Sequence, residues 1–217
     1  QLGGAWLKEN IVISKATIDR MPLYFRTLRQ IQEEGVEIIS SEELGRRIGV
    51  TPEQIRKDLA SFGEFGKKGV GYYVEELVSH IRDILGLNRQ WNVAIVGVGH
   101  LGWALANHQN FRSLGFNLAA IFDVDLSKIG LHINGVEVLH ADQMEEVVRE
   151  RDIHIGIITV PEASAQQVAN RLVAAGVRGI WNFAPIRLNV PEHVQIVNED
   201  LSVGLSSLSY YLARQDS

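Results

Sequence analysis

The chain has 217 residues, 46% apolar and 22% charged, with no cysteine and a net charge of −5. That length permits one large domain or two small ones, and no apolar run approaches the ~20 residues of a membrane span, so a soluble globular protein is expected. Without cysteine there are no disulfides, thiolate zinc sites or thiol switches; the composition fits the cytoplasm, and any redox response must run through a bound ligand.

Charge is unevenly spread. Residues 14–90 hold 12 Lys and Arg against 12 Asp and Glu, whereas residues 91–217 hold 8 against 13. Within residues 46–68, Arg46, Arg47, Arg56, Lys57, Lys67 and Lys68 face only Glu53, Asp58 and Glu64. A net-acidic chain with one basic stretch confines any contact with nucleic acid to one face.

Residues 1–13 are apolar in patches but lack a basic start and a continuous apolar run before a cleavage site, so they are read as an extension outside the fold. A domain over residues 14–88 follows. Asp19 is expected to cap a helix beginning near Arg20, with Pro22 in its first turn, Leu23, Leu28 and Ile31 on one side, and Gly35 as its end. After the extended Val36-Glu37-Ile38-Ile39, Ser40-Ser41-Glu42-Glu43 caps a two-turn helix that turns Leu44 and Ile48 inward and stops at Gly49. Thr51 caps a third helix with Pro52 at its first position. Ile55, Leu59 and Phe62 take its buried side and Gln54, Arg56, Lys57 and Ser61 its outer face. Residues 63–74 alternate glycines with lysines and end in β-formers, which predicts a hairpin with a flexible tip. Three short helices and a β-wing make a winged helix-turn-helix; a further helix over residues 74–87 leads to the junction at Asn88-Arg89-Gln90.

Such a domain lays its third helix in the major groove and its wing on the backbone or minor groove. Arg56 and Lys57 then reach guanine edges or phosphates, Lys67 and Lys68 suit phosphate or minor groove, and Arg46 and Arg47 clamp the flanking backbone. Ser41, Gln54, Ser61, Gly69 and Tyr72 complete the candidate DNA-binding set.

From Trp91 the pattern changes to strands alternating with helices over residues 89–198. Apolar strands are expected at residues 91–96, 117–122, 153–160, 179–183 and 194–197, with helices at 141–149 and 161–175 and after Trp103. This is α/β grammar and implies a Rossmann-type parallel sheet covered on both faces. The first strand runs into Gly97-Val98-Gly99-His100-Leu101-Gly102. The glycines serve a tight turn, close approach to a pyrophosphate and close helix packing, and the phosphates sit on the helix N-terminus. Asp123 ends the second strand 21 residues after Gly102. An acid there binds both ribose hydroxyls and repels a 2′-phosphate, selecting NADH and NAD+ over the phosphorylated forms; Asp125 is the rival. Thr159-Val160-Pro161 and Asn182-Phe183-Ala184-Pro185 end later strands, on the edge of the sheet where ligands bind, and are candidates for the nicotinamide pocket.

Three other readings of the second domain stand beside this one: a close-packed glycine turn with no ligand, a CoA-binding regulator, and a small NAD-dependent oxidoreductase. An oxidoreductase needs a placed acid or base and a second domain for substrate. Residues 91–217 leave no room for one, and the seven histidines form no motif, so no catalytic or metal site is assigned. Leu201, Leu205, Leu208 and Leu212, spaced four, three and four apart, give the closing stretch 199–217 a continuous apolar stripe, which packing on its own Rossmann domain would also bury.

Taken together, Arg20-Met21-Pro22-Leu23-Tyr24-Phe25-Arg26, Ile55-Arg56-Lys57-Asp58 through Phe62-Gly63, Gly69-Val70-Gly71-Tyr72, Gly97 to Gly102, Thr159-Val160-Pro161, Asn182-Phe183-Ala184-Pro185 and Asp200-Leu201 are specific. On these segments, from about Lys15 onward, the chain resembles the Rex family of redox-sensing transcriptional repressors. The resemblance implies a homodimer with the last helix, residues 199–217, exchanged between subunits as a domain-swapped helix. It implies repression at a palindromic operator of double-stranded DNA, with release by NADH and weak competition from NAD+. It also implies that Arg20 and Asp200 form an inter-subunit or interdomain pair, with Leu201, Leu205 and Leu208 at the interface. Family members often carry a tyrosine where His108 stands here, which puts the ligand-dependent contacts at that position in question.

Overall fold

The computed structural model describes residues 13–67 and 69–215, so most of the expected extension, residues 1–12, and the candidate Lys68 lie outside the described residues. The chain divides into two compact units, the first ending at Arg89 and the second beginning at Gln90.

In the first unit, α1 (Lys15–Glu33) starts where the Ser14 side chain accepts from the Thr17 amide. This corrects the expected start near Arg20. Pro22 consequently lies inside the helix, where its ring nitrogen cannot donate to the preceding turn. Met21, Tyr24, Phe25, Leu28 and Ile31 form the buried face. The next two helices are capped as their sequences dictate. Ser40 accepts from Glu43 N ahead of α2 (Ser41–Ile48), which Gly49 closes at φ +71, and Thr51 accepts from Gln54 N ahead of α3 (Pro52–Ala60). Ile55 and Leu59 are buried beneath α3, while Phe62 is only half-buried.

The wing differs from a local hairpin. Lys67 and Gly71 bridge a tight turn, but β2 (Tyr72–Tyr73) pairs antiparallel with β1 (Ile38–Ile39). The extended piece between the first two helices is therefore half of the unit's small sheet, because two residues of wing strand need a distant partner to bury Ile39 and Tyr72. The unit closes with α4 (Val74–Ile84), which turns Val74, Leu77, Val78 and Ile81 inward.

The second unit is a seven-stranded sheet in the order β5-β6-β4-β3-β7-β8-β9. Its strands are β3 (Trp91–Val96), β4 (Phe116–Asp123), β5 (His132–Ile133), β6 (Val136–His140), β7 (Ile155–Ile158), β8 (Gly179–Asn182) and β9 (Gln195–Asn198). All pair in parallel except the β5–β6 hairpin. That hairpin was not expected from the sequence, although Asn134 (φ +50) and Gly135 (φ +80) form the two-residue turn that most strongly signals one. Residues alternate between two cores: Ala94 and Val96 pack on one face of β3, Val93 and Ile95 on the other.

Helices α5 (His100–Ala106), α6 (Asn110–Ser113), α7 (Met144–Glu150) and α8 (Glu162–Ala174) connect the strands. The strand order reverses between β3 and β7, which makes their carboxyl ends the topological switch point of an open α/β sheet. The last helix, α9 (Ser202–Gln215), is apolar on one side and exposed; Leu205 retains 72% of its accessible surface. Among the described residues, no helix is long and apolar enough to cross a membrane.

Candidate functional site

The glycine loop lies at the carboxyl end of β3, beside the switch point. Gly97 takes φ +96, and a Cβ there would stand 2.8 Å from Val160 Cγ1 and 3.0 Å from the Thr159 carbonyl. At Gly102 a Cβ would collide with the Gly97 carbonyl oxygen. Around Gly99, by contrast, nothing lies within 4 Å of a built Cβ. Two glycines are thus needed for turn and packing, and the middle one faces open space at the start of α5. Open backbone at a helix start is the kind of surface that a phosphate can approach closely. His100 is exposed and Leu101 half-buried beside it, whereas Val98 is buried.

Two side chains lock this loop from outside it. The Thr159 hydroxyl, just beyond β7, bridges the Gly97 carbonyl at 2.7 Å and the Val96 carbonyl at 3.1 Å. Asp123, at the end of β4 and 7% exposed, accepts from Val98 N at 2.6 Å and Asp125 N at 2.9 Å. Burial pushes its pKa up, but the two backbone donors and Lys128 outweigh that and hold the carboxylate below its ordinary range.

Lys128 was not singled out from the sequence. Its ammonium stands 3.2 Å from Asp123 and 3.4 Å from Asp125, so the corner where an adenosine ribose is expected carries two carboxylates and one cation. The signal available for it was its place five residues after Asp123 in the turn Asp-Leu-Ser-Lys, which Lys128 N closes on Asp125 O at 3.0 Å. Asp125 is the more exposed of the two acids and also accepts from Ser127.

At the end of β8, the Asn182 side chain is 0% exposed. Its amide donates to Ala184 O, Ile186 O and Asn198 Oδ1, and its oxygen accepts from Ala184 N. It therefore shapes the turn holding Phe183, buried Ala184 and exposed Pro185. Val160 is half-buried and Pro161 exposed at the neighbouring strand end. Phe183 packs on Trp181 at 4.6 Å, Trp181 meets Phe111 at 6.1 Å, and His108 stacks on Phe111 at 4.6 Å, so His108 ends an aromatic row. Asp200 accepts from the amide and hydroxyl of Ser202, and Leu201, Leu205, Leu208 and Leu212 are all exposed.

In the first unit the basic residues gather on α2, α3 and the wing turn, and their acids are interleaved. Arg56 Nη1 donates to Ser41 Oγ at 2.6 Å and Glu42 at 3.2 Å, and its Nη2 to Glu53 at 3.0 Å. Arg47 forks onto Glu34 and also reaches Glu43, which pairs with Arg46. Lys57, Lys67 and Gly69 are exposed, and Lys67 lies over the Tyr73 ring at 5.4 Å. Ser61 is half-buried and donates to the Lys57 carbonyl. Ser41 and Tyr72 are buried, so they support Arg56 and the wing and do not offer their own surface. Arg20 is engaged through Nε and Nη2 by Asp58, at 2.6 and 2.7 Å, a pairing that also raises the guanidinium's basicity. Tyr24 is pushed up by burial and by the same carboxylate.

Comparison with known proteins adds two kinds of finding. Residues 12–60 match the family model "Putative DNA-binding protein N-terminus" and residues 88–186 match "CoA binding domain". The chain is 52% identical to the redox-sensing transcriptional repressor Rex of Syntrophobacter fumaroxidans, over 93% of this chain and 96% of that protein. It is also 52% identical to the Rex of Carboxydothermus hydrogenoformans, over 93% and 97%. Among solved structures it is similar to RSP in complex with β-NAD+ and operator DNA (TM-score 0.90, 44% identity, 95% of both chains). The RSP complex with β-NADH gives a TM-score of 0.88 at 42% identity, covering 95% of this chain and 97% of that one.

Proposed function

The chain belongs to the Rex family of redox-sensing transcriptional repressors, and on that premise we propose how its two units divide the work. The first unit holds operator DNA, the second binds NADH or NAD+, and NADH releases the protein from the operator. The observation that carries this reading is the loop from Gly97 to Gly102, closed by two glycines and open at the third. It offers backbone N–H groups to a pyrophosphate at a helix start, while the Asp123–Asp125 corner favours a ribose diol over a 2′-phosphate. Thr159 and Asn182 act through the backbone they hold, keeping Val160, Pro161, Phe183, Ala184 and Pro185 at the nicotinamide end. The bound dinucleotide supplies only its redox state as a signal, and the chain acts as a regulator, not an enzyme.

On the DNA side, Arg56 and Lys57 serve the major groove, Arg46 and Arg47 the flanking backbone, and Lys67 and Gly69 the wing contact. The exposed leucine face of α9 needs a cover, and a second copy of the chain supplies it by exchanging that helix, with His108 and Asp200 as candidates for contacts at the seam. Two copies bring two recognition helices, which fits a palindromic operator with half-sites about one DNA turn, ~34 Å, apart. NADH then needs only to favour the copy arrangement that mismatches this spacing; a coupling of about 1–3 kcal/mol changes affinity roughly 5- to 150-fold.

The test is a fluorescence-anisotropy titration on an AT-rich inverted-repeat duplex, with NADH and NAD+ added separately. NADH should weaken binding strongly and NAD+ little, and saturating operator should weaken NADH binding by the same factor. An NADH affinity untouched by operator would overturn the mechanism. Arg56→Ala should weaken operator binding and leave NADH affinity intact. The match of residues 88–186 to a CoA-binding family favours CoA as the second reading, decided by titrating CoA against NADH on the same protein. Consumption of NADH with carbonyl substrates would instead point to an oxidoreductase.

A further inference from the structure

Asp58 sits on α3, the helix whose outer face carries Arg56 and Lys57, yet its own side chain is 1% exposed. Its two oxygens accept from the Thr17 hydroxyl at 3.1 Å, Arg20 Nε at 2.6 Å, Arg20 Nη2 at 2.7 Å, the Tyr24 hydroxyl at 2.6 Å and Gln54 Nε2 at 2.8 Å. Thr17, Arg20 and Tyr24 belong to α1, and Gln54 to the first turn of α3. A carboxylate withdrawn from water needs this many donors. Three of the four residues simply tie the two helices together. Gln54 does something different.

Gln54 is half-buried at the third position of α3, in the stretch that a helix-turn-helix lays against base edges. A carboxylate can only accept, so the amide nitrogen must be the end of the carboxamide that faces Asp58. One N–H is thereby committed. The carbonyl oxygen and the other N–H remain, and these are the acceptor and donor that pair with N6 and N7 of adenine in the major groove. A glutamine held in one orientation beforehand also avoids the entropy loss of ordering it on contact.

Resting on the DNA-binding reading above, we propose that Asp58 is a positioning residue for sequence recognition: it orients the Gln54 carboxamide to read adenine at one position of each half-site, and Arg20 and Tyr24 anchor the carboxylate that does so. The side chain that selects the base is thus set by a residue that touches no DNA.

The experiment exposes the full chain to duplexes randomised across an inverted repeat, then recovers and sequences the bound fraction for the wild type, Gln54→Ala, Asp58→Asn and Gln54→Glu. The wild type should enrich adenine at one symmetry-related pair of positions. Gln54→Ala should lower that preference about fivefold or more while sparing other positions. Asp58→Asn should relax the same position, because an amide nitrogen now competes for the Gln54 carbonyl. A merely structural Asp58 would weaken all sequences alike and leave the base preference unmoved, which would overturn the proposal. Should Asp58→Asn fail to fold by circular dichroism, Gln54→Glu decides. Beside Asp58 the new carboxylate is repelled and the position becomes indifferent; if Gln54 orients itself independently, glutamate exchanges adenine for cytosine at full strength, and the proposal fails. A wild type that enriches no duplex would overturn the DNA-binding reading itself, an outcome separate from these.

Discussion

Each unit contains a buried aspartate that braces its functional surface, and the two do so with different partners. Asp123 holds the glycine loop through the backbone N–H of Val98 and its own turn through that of Asp125, donors that no substitution of those residues short of proline removes. Asp58 holds the recognition helix through side chains of Thr17, Arg20, Tyr24 and Gln54, every one of which can be substituted. Backbone ligation makes a fixed loop, which under the proposed function suits a ligand whose shape never changes. Side-chain ligation makes a mount that single residues can tune, which suits a surface that must match one operator.

The contrast is broken most severely at Asp58. Asp58→Ala leaves Arg20 and Tyr24 without their acceptor, and unfolding of the N-terminal unit in urea should reveal a loss of about 3–5 kcal/mol with NADH affinity unchanged. The same carboxylate can be silenced by acid. Burial alone would raise its pKa, but hydrogen bonds from Arg20, Tyr24 and Gln54 lower it from 3.8 to about 2. A depressed folded-state value means the contribution is whole above pH 4 and disappears as pH falls toward 2. Fluorescence of Tyr24 and its neighbours in that window should report loosening of the first unit.

Gly102→Ala attacks the other brace, pressing a methyl into the Gly97 carbonyl oxygen. Backbone cannot yield as a flexible side chain does, so about 1–3 kcal/mol of stability and most NADH binding should be lost, read by calorimetry, while operator affinity without NADH persists. The smallest effect sharpens the comparison. Lys128→Ala removes the replaceable, partly exposed donor to Asp123 and leaves both backbone donors, so stability should fall by under about 1 kcal/mol. A larger loss in thermal unfolding would mean that Asp123 too depends on side chains.

Much of this architecture could be read residue by residue. Ser40 and Thr51 with Pro52 mark the starts of α2 and α3, Gly49 ends the first of these, and Gly97, Gly99 and Gly102 following an apolar strand describe their own turn. The β5–β6 hairpin is marked equally by Asn134-Gly135, but only two residues of strand precede that turn, too few for an alternation to establish a strand. Lys128 has no mark beyond its place in the Asp-Leu-Ser-Lys turn.

Other features had no local mark. Asp58 counts as one more surface acid in a basic stretch until α1, some 38 positions earlier, delivers Arg20 to it. The start of α1 and the place of Pro22 within it turned on Ser14, a cap competing with the equally plausible Asp19. The wing strand took its partner from residues 38–39, and the leucine stripe of α9 is amphipathic whether or not anything covers it. By itself the sequence determined caps, turns, periodicities and the glycine loop, since each arises from interactions spanning a few residues. Only the tertiary structure decided which charges are buried and what they hold, because a carboxylate's partners are chosen by packing between segments that the chain keeps far apart.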